Sequence, residues 1–474
     1  MTNVLHPAAL ALFALLCACS HPRYYVSAEQ ALTTEGHFAS QGHFAVYYPS
    51  EIALDFPGYV VGIELSERTA QLRDGDLVVT VPTKSGSTIA RLAIELRDGL
   101  PQPDAVTPSS WGRGQVPVIS QVLRYTGNPL GAGNCALYSV YQSAGSELMD
   151  FCDGQRRPRV GGWATYQTAF TDSWGAVELL AEALRKDAAS GQYTHLVVAM
   201  MGWRTTQEEA IRNFNSLVRT TGMAAHGEFR PLFVGITWVG PWSGRWIDPV
   251  NEAVSYPEIA ELADTLGLTW LGVITEEAVL PLSDKLPVSF LTHSFGSRAA
   301  LTAVCVGPVI RRGQAPPPHS PATGSVDRLI GFQAALSLQR FRDRRHYVYE
   351  DVRFPDHCPR ARSIVVTTSR YDSAVRTAIW ADLAGNYRYY RWFCRRNSGT
   401  IVSCAAVSES GAIEGEYDET MRVLYLDASK VIRYTAPGTD GSAHSDIFRP
   451  PAGQLIWNLI SKRPPAALKP GTRQ

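Results

Sequence analysis

The stretch LPVSFLTHSFGSRAAL, Leu286 to Leu301, decides how the chain is read. An apolar run stops in Thr292-His293-Ser294-Phe295-Gly296, and a helix-like run, Ser297-Arg298-Ala299-Ala300-Leu301, follows at once. That is a strand, a tight turn and a helix with no loop between them. Such a corner lifts its central side chain above the sheet edge and needs small residues beside it, here Gly296 and Ser297. Ser294 therefore has two readings, a catalytic nucleophile or an ordinary helix cap. Phe295 follows at the helix N-terminus, where its amide can donate to an oxyanion. Thr292 stands where the G-x-S-x-G pattern has its first glycine.

Outward from this corner, strands and helices alternate. YTHLVVAMMGW reads as a buried strand running into a turn, and TQEEAIRNFNSLVRTTG as a helix with Glu208 and Glu209 in its first turn. RPLFVGITWVG is the next strand, and PEIAELADTLGLTWLGVI is helical. VDRLIGFQAALS, RSIVVTTSRYD and RVLYLDAS are further strand candidates. This alternation predicts an α/β fold, a mostly parallel sheet flanked by helices. No internal repeat is present.

A serine nucleophile needs a base, and the base needs an orienting acid. Asp372 follows the strand SIVVTT directly, in a polar turn. His444 lies in the Gly/Ser/Pro-rich loop TAPGTDGSAHSDIFRP, between the strand VLYLDAS and the helical AGQLIWNLIS. Side chains beyond the C-terminal ends of parallel strands stand on the edge where open α/β sheets bind ligands. Asp427 also follows a strand and is the rival acid. His293 and Asp446 read as structural, and His319, His346 and His357 as surface residues. Trp203, Trp238, Trp242 and Trp246 fall on the first two loops after core strands, as an aromatic pocket or as packing.

In this order, Ser294, Asp372, His444, the chain resembles the α/β-hydrolase superfamily, and most of all bacterial esterase-like proteins. The resemblance covers residues 173–462 and rests on HLVVAMMGWRTTQEEAIRNF, FVGITWVGPWSG, THSFGSRAAL, TTSRYDSAV and AHSDIF. It implies Ser294 as nucleophile, Asp372 as acid, His444 as base, and the Phe295 and Trp203 amides as the oxyanion hole. Met201-Gly202 stands where the family usually has His-Gly. No cofactor and no metal is implied.

The N-terminal ALALFALLCACS is too short to span a bilayer, which takes about 20 residues. It fits a secretory signal, and Leu16-Cys17-Ala18-Cys19 resembles a lipobox with Cys19 as the lipidated residue. Ser20 after it favours the outer membrane of a Gram-negative bacterium by that resemblance. The remaining cysteines, Cys135, Cys152, Cys305, Cys358, Cys394 and Cys404, are even in number and suggest disulfides in an exported chain. Many pairings are open; nearest neighbours would join Cys135 to Cys152, Cys305 to Cys358 and Cys394 to Cys404.

Basic and acidic residues balance at 44 each, which gives no electrostatic footprint for nucleic acid. The chain divides into a signal peptide with lipobox at 1–19 and a β-rich N-terminal region at 20–110. A linker with the Cys135/Cys152 segment follows at 111–172, and the α/β-hydrolase domain spans 173–474. NYRYYRWFCRRNSGTIVSCAAV, near 385–410, reads as an inserted hairpin stapled by a disulfide. Two functions follow. One is a serine hydrolase, a carboxylesterase by default, acting on a small-molecule ester and tied to the membrane by a lipid anchor. The other is an envelope lipoprotein whose altered hydrolase domain binds without turnover.

Overall fold

A computed structural model describes residues 53–65, 117–128, 131–139, 151–152, 163–203, 205, 207–238, 248–310, 324–341, 352–354, 358–374, 382–397, 401–415, 417–418, 421–434 and 443–462. Cys19 and the lipobox, His319, His346, His357, Trp242 and Trp246 lie outside these residues.

The strands are β1 (Pro57–Leu65), β2 (Pro117–Thr126), β3 (Cys135–Ser139), β4 (His195–Met200), β5 (Pro231–Trp238) and β6 (Val288–His293). They continue with β7 (Val326–Phe332), β8 (Ala361–Thr368), β9 (Val402–Val407), β10 (Ile413–Glu414) and β11 (Val423–Asp427). The helices are α1 (Trp163–Ala189), α2 (Gln207–Ala224), α3 (Asp248–Leu268), α4 (Trp270–Val273), α5 (Phe295–Cys305), α6 (Tyr387–Asn397) and α7 (Pro450–Ile460). All the strands among the described residues form one 11-stranded sheet in the order β10-β9-β11-β8-β7-β6-β4-β5-β1-β2-β3. From β9 to β1 every pairing is parallel, while β2, β3 and β10 add antiparallel edges.

A parallel sheet needs cover on both faces. Along β4, Leu196, Val198 and Met200 belong to one apolar layer and Val197 and Ala199 to the other. The first layer is closed by α1, α3, α5 and α6, through residues such as Leu180, Ile259, Leu301 and Phe393. The second is closed by α2 and α7, through Phe214, Leu217, Leu455 and Ile456. Within the first layer lies a buried charge cluster. Asp264 on α3 accepts hydrogen bonds from Arg298 on α5 at 2.7 and 3.0 Å and from Arg340 at 2.8 Å on each oxygen. Thr302 donates to the same carboxylate at 2.9 Å.

Three expectations change. The segment 111–172 carries β2, β3 and the start of α1, all part of the main body. Of the N-terminal region, β1 joins the same sheet in parallel with β5. Tyr59, Val61 and Ile63 enter one apolar layer and Val60 the other, so this strand needs cover on both faces and sits inside a sheet. The stretch near 385–410 is not a hairpin. It is α6 followed by β9, which pairs in parallel with β11. Tyr389 and Phe393, four apart, bury one face, while Arg388, Arg391, Arg395 and Arg396 face out, which is helical periodicity.

Disulfides join Cys135 to Cys152, Cys305 to Cys358 and Cys394 to Cys404. Cross-links of this kind persist in oxidising compartments, as expected of an exported chain. No helix among the described residues is long and apolar enough to cross a membrane.

Candidate active site

The topology singles out one point on the sheet edge. The chain runs from β4 outward to β5, returns past β4 to β6, and then proceeds the other way through β7 and β8. Connections diverge between β4 and β6, and open α/β sheets bind ligands beyond the strand C-termini at such a switch point. Met201-Gly202-Trp203 follows β4 there, and Ser294 follows β6.

Ser294 sits at φ 53° and ψ −125°, between β6 and α5, and its side chain makes no capping hydrogen bond. A left-handed φ is strained for serine and persists only where its surroundings hold it. Here they do. The Ser294 N–H donates to the Phe332 carbonyl at 2.9 Å, and the Ala335 N–H donates to the Ser294 carbonyl at 3.2 Å. The helix starts at Phe295, whose amide has no intrahelical acceptor, as at every helix start.

Thr292 resolves how the corner forms without its first glycine. Its hydroxyl donates to the Ile330 carbonyl at 2.9 Å and lies 3.1 Å from the Ser297 hydroxyl. The space is made by its neighbours, since Thr292 pairs with Gly331 on β7 and Ser297 is small. Gly296 is required for a different reason. A Cβ there would meet the carbonyl oxygens of Met200 and Met201 at 2.7 and 2.5 Å, so α5 begins in backbone contact with β4.

The β4 loop closes on the serine. A Cβ on Gly202 would lie 2.7 Å from Ser294 Cβ and 3.2 Å from its Oγ. The loop is braced from outside, where the Trp238 indole N–H donates to the Met201 carbonyl at 2.9 Å. Trp203 sets its ring edge-on to Phe295 with centroids 6.4 Å apart, and the Tyr256 ring lies 5.3 Å from that of Phe295. Trp238 is thus a buried brace, and Trp203 a partly exposed residue beside the serine.

His444 and Asp372 meet as the chain order led one to expect. His444 Nδ1 is 2.8 Å from Asp372 Oδ2, with the carboxylate buried and the imidazole partly exposed. The Ala443 N–H donates to the Tyr371 carbonyl at 3.2 Å, which ties the histidine loop to the acid turn. Asp427 is engaged elsewhere: it accepts from the Ser429 amide at 3.0 Å and from the Ser429 hydroxyl. Asp446 holds the loop itself, accepting from the Arg433 and Tyr434 amides at 2.8 and 2.7 Å and from the Arg449 guanidinium.

One contact had no sequence signal. His293 Nε2 donates to the His444 carbonyl at 2.9 Å, and the two rings lie 4.5 Å apart. The residue next to Ser294 therefore grips the backbone of the histidine that sits on Asp372. Burial first, and then the neighbouring His444, lower the His293 pKa to about 3, so its imidazole stays neutral and Nε2 keeps the proton that the carbonyl accepts. Among the described residues no group of His, Cys, Asp or Glu is arranged to hold a metal ion. No family model, curated protein or solved structure matches this chain.

Proposed function

We propose that this protein is a serine hydrolase that cleaves carboxyl esters through Ser294, His444 and Asp372. One observation carries the reading. A serine held at positive φ on a strand-to-helix corner follows His293, whose ring lies 4.5 Å from that of His444, and His444 Nδ1 is bonded to a buried carboxylate. In this reading His444 Nε2 accepts the Ser294 hydroxyl proton as Oγ attacks the ester carbonyl carbon. Asp372 keeps the Nδ1 proton in place and stabilises the imidazolium that forms. The amides of Phe295 and Trp203 donate to the tetrahedral oxyanion. His444 then returns the proton to the leaving alcohol. A water, deprotonated by the same imidazole, attacks the acyl-enzyme and releases the acid. The resemblance to α/β-hydrolases supports the same roles, and the lipobox reading of Cys19 adds an outer-membrane anchor.

A fluorophosphonate probe on the purified full chain tests this. Wild type is labelled and Ser294→Ala is not. His444→Ala and Asp372→Asn each lower ester turnover by about 10⁴-fold, while Asp427→Asn leaves it near wild type. Folded wild-type protein that resists the probe would sink the hydrolase and favour a binding role.

A further inference from the structure

The exposed face of α6 carries four arginines, Arg388, Arg391, Arg395 and Arg396, within nine residues. Tyr387, Arg388, Arg391, Trp392, Arg395 and Arg396 line an open groove of about 310 Å³. Several other described basic side chains pair with acids: Arg298 and Arg340 with Asp264, Arg362 with Asp327, Lys430 with Glu414, Arg433 with Glu409 and Arg449 with Asp446. None of the four α6 arginines is joined to a carboxylate in an ion pair among the described residues, although acid and base balance over the whole chain. Trp392 stands among them, exposed at 40%. It is held by stacking on Tyr389 at 5.8 Å and by the Arg396 guanidinium 5.3 Å above its ring. The helix cannot shift to bury these groups. Phe393 and Tyr389 are fixed in the apolar layer, and Cys394 is bonded to Cys404 of β9.

We infer that this face of α6 docks on an anionic phospholipid surface. The charge is complementary to phosphate, and guanidinium is the side chain best matched to it. The arrangement fits a surface better than a single small anion. The arginines are strung along two turns, about 12 Å of helix, and all point outward. A site for one ion would bury converging donors. An exposed tryptophan among arginines is also the composition of helices that lie in the headgroup layer, the ring entering the interface and the cations reaching phosphates. The helix begins at the sheet edge that carries Ser294: Asn386 bridges to Ser369 after β8, and burial together with a hydrogen bond to Asp427 raises the pKa of the Tyr387 hydroxyl. Docking is independent of whether Ser294 is catalytic.

Vesicle flotation of the purified full chain tests the inference through the ratio of binding to phosphatidylglycerol and phosphatidylcholine vesicles at low salt. A lipid anchor would bind both alike, so the ratio isolates charge. Wild type prefers phosphatidylglycerol. Arg391→Gln/Arg395→Gln loses the preference by roughly fivefold per arginine. Arg391→Lys/Arg395→Lys keeps it, because a surface reads charge more than fork geometry. Equal wild-type binding to both vesicles overturns the inference, as does an unchanged preference in the glutamine pair. Loss in the lysine pair equal to that in the glutamine pair, or displacement by millimolar inorganic phosphate, assigns the groove to a discrete phosphate ligand and also overturns it. The substituted residues are exposed, and retained near-ultraviolet circular dichroism verifies the fold.

Discussion

At the scale of single residues, His293 and Gly202 decide how well the serine is presented. His293 joins β6 to the loop of His444 through one hydrogen bond. Its pKa, about 3 in the fold, stands near 6.5 in the unfolded chain. Between those values the unfolded state binds a proton that the folded state refuses. The contribution of this position to stability is therefore complete above about pH 6.5 and lost as pH falls toward 3. His293→Gln, which keeps a donor toward the carbonyl, is expected to flatten the fall in urea midpoint between pH 6 and pH 4 relative to wild type. A fall equally steep in the variant would show that other groups set the acid limb. Gly202→Ala places a Cβ 2.7 Å from Ser294 Cβ. One displaced side chain at a reacting centre costs about 100-fold, and that loss is expected in the rate of fluorophosphonate labelling, with circular dichroism unchanged. The strand-to-helix corner at Ser294 and the meeting of Asp372 with His444 could be anticipated, because each of the three follows its own strand in chain order. The bond from His293 to the His444 carbonyl could not, because it joins residues 151 apart through the packing of two loops.

At the scale of elements, the alternation of β4 to β8 with helices could be read locally, since each strand is a short apolar run ended by a turn. Partner choice could not. PVISQVLRYT looks like any half-buried strand, and nothing within it says that it pairs with β1 in the main sheet. The stretch YRYYRWFCRRN misled for another reason. Aromatic residues favour strands, and the cysteine that follows suggested a staple across a hairpin. The helical spacing of Tyr389 and Phe393 overrides that preference once β11 offers Tyr425 to pack on, with Tyr390 at 4.8 Å and Phe393 at 6.2 Å. The disulfides stabilise these elements unequally. Cys305–Cys358 closes a loop over a separation of 53 residues and Cys394–Cys404 over 10. By loop entropy, Cys305→Ala/Cys358→Ala should lose roughly 1.5 kcal/mol more stability than Cys394→Ala/Cys404→Ala. Guanidinium melts of the two variants measure the difference; a larger loss in the second would place the strain of unfolding at α6.

At the scale of the whole molecule, the Asp264 cluster ties α3 and α5 to the segment after β7. Burial alone would raise the carboxyl pKa, but Arg298 and Arg340 outweigh it and hold it at about 2. Stability from this carboxylate is full above about pH 4 and is lost as pH falls toward 2. Asp264→Asn strands two buried arginines and is expected to cost about 3–5 kcal/mol, read as a lowered urea midpoint at pH 7. A midpoint within error of wild type would mean that the arginines find other acceptors. The sheet also imposes an order in time. β1 (Pro57–Leu65) lies between β2, which begins at Pro117, and β5, whose residues 231–238 come some 170 positions after β1. Synthesis delivers the chain from its N-terminus. The β1–β2 pair thus forms with one apolar edge open, and that edge closes only when β4 and β5 have been made and have crossed over. Until then VVGI in β1 is an unguarded strand edge, the kind that recruits other chains. The same parallel contact that gives the finished sheet its interior makes assembly slow and sensitive to concentration.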